Sequence, residues 1–421
     1  MKRTLFLFLC LPWLIIANAQ PITKKVLFLG NSYTYANNLP VLVAALANAS
    51  GDSLLFDAYT PGGYTLGWQP TAHSVDPLSL SMIRQSDWDY VVLQEQSQTP
   101  AIPALRDSCM FPGAMILHDS VKSNNFCSRV LFYLTWGRRF GGIQCFTPNY
   151  CSTNFSDFDQ MQDSLTVAYK EIADSLDAPV APVGEAWRLI LHTTNMILHD
   201  GDQSHPNLKG SYLAACVFYS SVFQKRSTGN SFTAGLLADT ALVLQRAADS
   251  VVFGYSAYWN LWQNEPEAAF TLEVSGDSVI THNESAHANY WNWTFGDGST
   301  SLEFEPVHVY PATGTYVVTL EACDTCRCDT TSRDVSIIVS GTRSSETTTG
   351  YSLTWAPDGS LHCLNCPQSA SIVLYDLTGR LVFKQTIIDG RGIIPELEPG
   401  IYFWIIKSNS ILSKGKIILI R

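Results

Sequence analysis

From Lys24 to about Trp262, short apolar runs alternate with longer segments whose apolar residues recur at helical spacing. The runs Val26 to Leu29, Leu54 to Tyr59, Tyr90 to Leu93, Val130 to Thr135 and Pro179 to Val183 are apolar almost without a break. Strands buried on both faces read this way. Between them, Leu39 to Ala49 and Phe155 to Leu176 predict helices. Strand, helix, strand in succession predicts a parallel sheet in a three-layer α/β sandwich, with the ligand crevice at the carboxyl ends of the strands. After Asn264 the pattern becomes short alternating strands bounded by turn residues: Ala269 to Val274, Tyr290 to Phe295, Thr315 to Ala322 and Arg333 to Val339. These predict a small β-sandwich. The Ser- and Thr-rich stretch 341–350 predicts a linker, and 351–421 a second small all-β domain.

Composition adds compartment and partners. Lys2 and Arg3, the apolar stretch Leu5 to Ile16 and Ala17-Asn-Ala19 form the pattern of a secretory signal peptide over residues 1–19, leaving a large α/β domain over 20–265 and β-domains over 266–340 and 351–421. No other stretch is long and apolar enough to span a bilayer. The net charge is -11 without a basic run, which speaks against nucleic acid as a partner. Of 11 cysteines one lies in the signal peptide, and the remaining even number in an oxidising compartment predicts disulfides. Proximity pairs Cys145 with Cys151, Cys363 with Cys366, and two among Cys323, Cys326 and Cys328. Cys216, in an apolar helical pattern, reads as a buried thiol. The Cys323, Cys326 and Cys328 cluster also suggests zinc, but no fourth ligand follows at metal spacing, so disulfide is favoured and no metal is expected.

Chemistry concentrates at two places. Gly30-Asn31-Ser32 follows the first buried strand, which puts Ser32 at the crevice with backbone N–H groups beside it. A serine needs a base. In Asp202-Gln-Ser-His-Pro-Asn-Leu-Lys-Gly210, Asp202 is placed to bond one ring nitrogen of His205 and leave the other for the serine. Either segment alone has a bland reading, as an ordinary Asn/Gly turn or as a helix cap followed by proline. Together, in this order, they resemble the SGNH/GDSL hydrolase superfamily over about residues 24 to 225. That resemblance implies a flavodoxin-like α/β/α fold and a serine ester hydrolase without cofactor, with Ser32 as nucleophile, His205 as base and Asp202 as its partner. It further implies an oxyanion hole made by the N–H of Ser32, that of Gly63, and an amide after the third strand. There the family's glycine-x-asparagine is replaced by Gln94-Glu95-Gln96, so Gln96 takes the role and Gln94 is the alternative. Ser53, Ser231 and Ser278 also follow Gly-Asp or Gly-Asn but lie outside a strand-to-helix turn and read as turn residues. His118 and His199, each before an aspartate, read as surface residues. Trp136-Gly-Arg-Arg139, Glu185 and Trp187 follow later strands, and are either crevice residues or structural ones.

Trp291-Asn-Trp-Thr-Phe-Gly-Asp-Gly298, Val307-His-Val-Tyr310 and Gly314-Thr-Tyr-Val-Val-Thr-Leu320 resemble a PKD domain, in which Asp297 and its glycines shape a tight turn and the tryptophans pack the sandwich. The segments Ser371 to Arg380, Leu397 to Tyr402 and Gly415 to Leu419 resemble a type IX secretion sorting domain. This implies export across both membranes through that machinery, to the cell surface or medium. The expected partner is an ester substrate, with acylated glycans first. Lipid or small acyl esters, and a catalytically lapsed glycan-binding or adhesion protein, are the competing readings.

Overall fold

The computed structural model describes residues 21–339 and, beyond them, 352–355, 361–364, 369–377, 379–388, 391–392, 400–408 and 411–419. The expected signal peptide, the linker and a Cys363–Cys366 pair lie outside the described residues.

The first half of the chain runs β1 (Thr23–Leu29), α1 (Ser32–Tyr35), α2 (Leu39–Ala49), β2 (Ser53–Tyr59), α3 (Pro77–Ile83), β3 (Tyr90–Leu93), a single turn α4 (Pro103–Leu105), α5 (Phe111–Asn124) and β4 (Arg129–Tyr133). Then come a hairpin of β5 (Gly142–Thr147) and β6 (Tyr150–Phe155), α6 (Phe158–Ser175), β7 (Val180–Ala181), α7 (Val183–Thr193), α8 (Leu208–Phe223) and α9 (Ala238–Gly254). Five strands form one parallel sheet in the order β2-β1-β3-β4-β7. The sheet grows from β1 toward β2 on one side and toward β3, β4 and β7 on the other. Right-handed crossovers in opposite directions put α2 on one face and α3, α5 and α6 on the other. Val26 to Leu29 and Val91 to Leu93 are almost fully buried, which explains their unbroken apolar sequence. Helix α8 packs on α2 and α9, and every residue from Gly210 to Phe223 is buried. Phe28 meets Phe218 edge-on beneath it.

Two expectations shift. The fifth strand shrinks to Val180–Ala181, because Pro182 breaks the ladder and α7 starts at once. The helix expected from Phe155 starts at Phe158, where the Asp157 side chain caps it; Phe155 ends the β5–β6 hairpin, which the apolar pattern does not announce.

The PKD-like sandwich pairs a three-stranded sheet of β8 (Phe270–Ser275), β9 (Ser278–Asn283) and β12 (Val307–Val309) with a four-stranded sheet of β10 (Tyr290–Thr294), β11 (Thr300–Ser301), β13 (Gly314–Cys323) and β14 (Cys328–Ile337). Trp293 is wholly buried and packs edge-on against Phe270. Asp297 accepts from Ser299 N at 2.9 Å and pairs with His308 at 2.8 Å, between glycines at positive φ.

Cys145 bonds Cys151 and Cys323 bonds Cys328, as expected. Cys326 pairs with Cys127, 199 residues away, so the three candidate zinc ligands are all spent in disulfides. This bond staples the α/β domain to the β-sandwich, beside an ion-pair chain in which Glu265 Oε1 meets Arg129 at 2.6 Å and Arg327 at 3.0 Å. Cys216 is a buried thiol, and burial raises its pKa. The second compact unit starts at Val339. Its described strands, β15 (Ser352–Trp355), β16 (Leu361–Leu364), β17 (Ser369–Tyr375), β18 (Leu381–Ile388), β19 (Arg391–Gly392), β20 (Gly400–Ser408) and β21 (Ile411–Leu419), form one antiparallel ladder in the order β15-β16-β19-β18-β17-β20-β21.

Candidate active site

Ser32 opens α1 directly beyond β1. Asn31 caps that turn, accepting from Tyr33 N at 3.2 Å, while its own amide donates to the Tyr64 carbonyl at 2.8 Å. Across the molecule, Asn207 caps α8 through Lys209 N and Gly210 N and donates back to the carbonyls of Ile197 and His199. The Asp-x-x-His-Pro-Asn segment is thereby held as a closed loop. Within it Asp202 Oδ1 accepts from Ser204 N and His205 N, each at 2.9 Å, and Oδ2 pairs with His205 Nδ1. His205 Nε2 lies 2.9 Å from Ser32 Oγ although 173 residues separate them. Desolvation pushes the Asp202 pKa up, but the hydrogen bonds from His205 and the two backbone N–H groups outweigh it and bring the value down to about 2. Its carboxylate is therefore ionised throughout the neutral range and holds the Nδ1–H tautomer, leaving the Nε2 lone pair for the serine proton.

The His205 ring is braced from behind. Tyr33 meets it edge-on at 5.3 Å, stacks on Trp136 at 4.6 Å, and Trp136 in turn stacks on Trp187 at 3.9 Å. Trp136 and Trp187 are thus structural members of the site, whereas Glu185 bonds Thr166 and Arg188 away from it. Arg138 is committed as well: it donates to the Tyr33 hydroxyl at 3.0 Å, Ser97 Oγ at 3.1 Å and Gln144 Oε1 at 3.2 Å. It ties the Ser32 turn, the segment after β3 and the β5–β6 hairpin together.

Of the oxyanion candidates, Gly63 sits at φ +74°, and its N–H has no acceptor among the described residues. The N–H of Ser32 is likewise unpaired, as the first donor of a helical turn. Gln96 turns its amide oxygen back onto Gln98 N and Thr99 N and gives one N–H to Gln98 Oε1, which leaves one N–H over. Gln94 has none left: it is fully buried and donates to Asn31 Oδ1 and the Glu95 carbonyl while accepting from Asn31 N and Thr34. Its amide locks the Ser32 turn and keeps no donor free.

The buried His73 and Glu95 escape sequence reading, and His199 is misplaced by it. His73 bridges Ser79 Oγ at 2.8 Å and the Gly30 carbonyl at 2.9 Å, and burial lowers its pKa to about 4. Since a carbonyl only accepts, His73 carries its proton on Nε2 and braces the turn as a neutral ring. Glu95 accepts from Gln96 N at 2.6 Å and Leu66 N at 3.1 Å, joining the two segments that carry the oxyanion candidates. Burial raises its pKa to about 8. His199 is buried, not superficial as expected: it donates to the Gly137 carbonyl at 2.9 Å, packs against Trp187, and burial holds its pKa at about 4. An isolated antiparallel bridge pairs its backbone with that of Pro206. His118 is half-buried and does pair with its neighbour Asp119, at 3.3 Å, on α5. Ser53 begins β2 at the far end of the sheet, and Ser278 begins β9 after a two-residue turn.

Residues 264–339 match the family model of the PKD domain. Among solved structures, a DUF4886 family protein from Bacteroides uniformis is 18% identical, with 55% of this chain and 96% of that one covered at a TM-score of 0.45. A protein described as a candidate SGNH hydrolase from Slackia heliotrinireducens is 25% identical over 47% of this chain and 98% of that one, at a TM-score of 0.38. The PKD1 domain of the Vibrio cholerae metalloprotease PrtV is 35% identical over 18% of this chain and 98% of that one, at a TM-score of 0.17. No curated protein matches the chain significantly. Residues 264–339 are thus a PKD domain, and the α/β domain ahead of them has SGNH/GDSL hydrolases among its structural neighbours.

Proposed function

We propose that the α/β domain is a serine ester hydrolase working through an acyl-serine at Ser32. The observation that carries this is the 2.9 Å contact between Ser32 Oγ and His205 Nε2, with Asp202 on the other ring nitrogen. Ser32 Oγ attacks the ester carbonyl as its proton passes to His205 Nε2. The N–H groups of Ser32 and Gly63 and the spare amide N–H of Gln96 receive the charge that develops on the carbonyl oxygen. Collapse breaks the bond to the alcohol, which leaves with the proton from His205. Water, deprotonated by the same ring, then attacks the acyl-serine and releases the acid. By analogy with other secreted enzymes that carry an accessory β-module, the ester is an acyl group on a polysaccharide, O-acetyl foremost. Three disulfides support an oxidising compartment, and export by signal peptide and type IX machinery belongs to the same reading.

Ser32→Ala is expected to abolish hydrolysis of p-nitrophenyl acetate and labelling by a fluorophosphonate, with an unchanged melting temperature. Labelling undiminished in that variant would sink the assignment. One observation favours the alternative of a lapsed hydrolase that only binds glycan: the Gln96 amide faces its own loop. A wild-type protein that is never labelled would decide for that alternative.

A further inference from the structure

On the His205 side of the site lies a cleft of about 530 Å³, walled by Arg138, Phe140 and Gln144 on one side and by Asp202, Gln203 and His205 on the other. Its size is within the range of about 300–1,000 Å³ usual for small-molecule sites. Ser32 does not line it. That position has a chemical meaning under the esterase reading, on which this inference rests. The ring that takes the serine proton must deliver it to the leaving oxygen, so the alcohol half of the ester departs on the side His205 faces. The carbonyl oxygen then points toward the N–H groups of Gly63 and Gln96. The cleft is therefore where the alcohol sits.

Most of its lining residues are polar, and Phe140 is the one large apolar side chain among them. Phe140 is 67% exposed, so most of its ring is open to solvent at the cleft. It is nonetheless held. Arg139 lies over the ring at 5.0 Å and is itself fixed to Gln203, through Oε1 at 3.1 Å and backbone to backbone at 3.2 Å. Next to it, Gly141 at φ +66° packs so tightly on the Phe155–Asp157 backbone that a Cβ would lie 2.6 Å from the Phe155 carbonyl oxygen. Gln144 closes the wall by donating to the Gly141 carbonyl at 2.8 Å. Arg138 spends three of its five guanidinium N–H groups on Gln144, Tyr33 and Ser97, which leaves two for a ligand. A fixed, exposed aromatic face beside free hydrogen-bond donors suits a ring that is apolar on its C–H face and hydroxylated at its rim. The quadrupole of the phenyl face attracts the electropositive C–H edges of a pyranose, and the guanidinium bonds its hydroxyls. A fatty alcohol would leave those donors unpaired.

We propose that Phe140 is the stacking platform for the sugar ring that carries the scissile ester, with Arg138 bonding that ring's hydroxyls. Phe140 determines specificity for a glycan alcohol and takes no part in the chemical step. The test measures kcat and KM of wild type, Phe140→Ala and Phe140→Trp on O-acetylated xylo-oligosaccharides and on ethyl acetate, whose alcohol is too small to reach Phe140. Binding of the same oligosaccharides to Ser32→Ala, with and without Phe140→Ala, is measured by calorimetry. Loss of one aromatic contact is expected to raise KM and Kd for the oligosaccharide roughly three- to tenfold. The kcat and the ethyl acetate rate should hold within about twofold, and Phe140→Trp should restore binding. Equal losses on both substrates, no change on either, or a wild type that cleaves ethyl acetate without binding the oligosaccharide would each overturn the proposal and leave the esterase reading standing. Ethyl acetate turnover that survives Ser32→Ala would instead remove the esterase reading itself.

Discussion

Replacing Asp202 with asparagine changes one charge and one hydrogen-bond direction on the far side of His205. An asparagine oxygen in the place of Oδ1 still accepts from Ser204 N and His205 N, so the loop keeps its turn. The amide nitrogen then stands where Oδ2 received the Nδ1–H of His205. Two donors cannot face each other, so the ring is driven to the tautomer with its proton on Nε2, pointing at Ser32 Oγ and unable to take its proton. A charge-assisted hydrogen bond contributes about 1.5–3 kcal/mol. With about 1.36 kcal/mol per tenfold, its loss alone lowers kcat/KM by roughly one to two decades. The wrong tautomer carries the loss toward about four decades in fully buried triads. Here the Asp202 side chain is 49% exposed and that of His205 40%, so water can replace part of the lost partner. An intermediate loss of about 10²- to 10³-fold is therefore expected for Asp202→Asn. The assay is kcat/KM on p-nitrophenyl acetate, with the rate of fluorophosphonate labelling as a second reading of serine reactivity. A loss below about fivefold, with an unchanged melting temperature, would refute the role given to this carboxylate.

Two further outcomes concern stability. The pKa of Glu95 is raised to about 8 in the fold, so between the ordinary carboxylate range and pH 8 the folded chain holds a proton that the unfolded chain has lost. Stability contributed by its neutral form is therefore full at low pH and is lost as pH rises toward 8. Glu95→Gln should flatten that slope in urea midpoints taken at pH 5, 6.5 and 8, and an unaltered slope would refute it. Joining chain positions 199 apart, the Cys127–Cys326 bond restrains the unfolded chain, an effect of up to about 5 kcal/mol by loop entropy. Replacing both cysteines with serine should lower the denaturation midpoint while kcat/KM on p-nitrophenyl acetate stays within about twofold; activity lost in proportion would contradict the separation of seam and site.

The parallel sheet, the serine turn and the Asp-x-x-His-Pro-Asn loop are legible in the sequence because each depends on local chemistry: unbroken apolar runs, a turn after a strand, a cap before a helix. What holds the site together is not. His73, Glu95 and Gln94 look like ordinary polar residues near strand ends, and their roles arise from partners 43, 29 and 63 positions away. The same holds for Cys127, whose partner Cys326 is hidden because nearer cysteines offer a simpler pairing. His199 misleads for a related reason, since an aspartate beside it suggests exposure while the rings of Phe158 and Trp187 cover it.

The placement of the seam bears on what the PKD domain contributes. Arg129 is the first residue of β4, and Cys127 precedes it, so the disulfide and the Glu265 ion pairs sit at the amino ends of the parallel strands. Ser32, Gln96 and Arg138 all follow the carboxyl ends. At about 3.3 Å per residue, the seven residues of β1 separate the two ends by roughly 20 Å. A domain fixed there by a covalent bond and two arginines does not close over the cleft beside His205. Under the proposed esterase reading, recognition of the alcohol thus falls to the cleft's own wall, and the exposed phenylalanine that follows two anchored arginines, rather than the β-sandwich, is where substrate selection is to be sought.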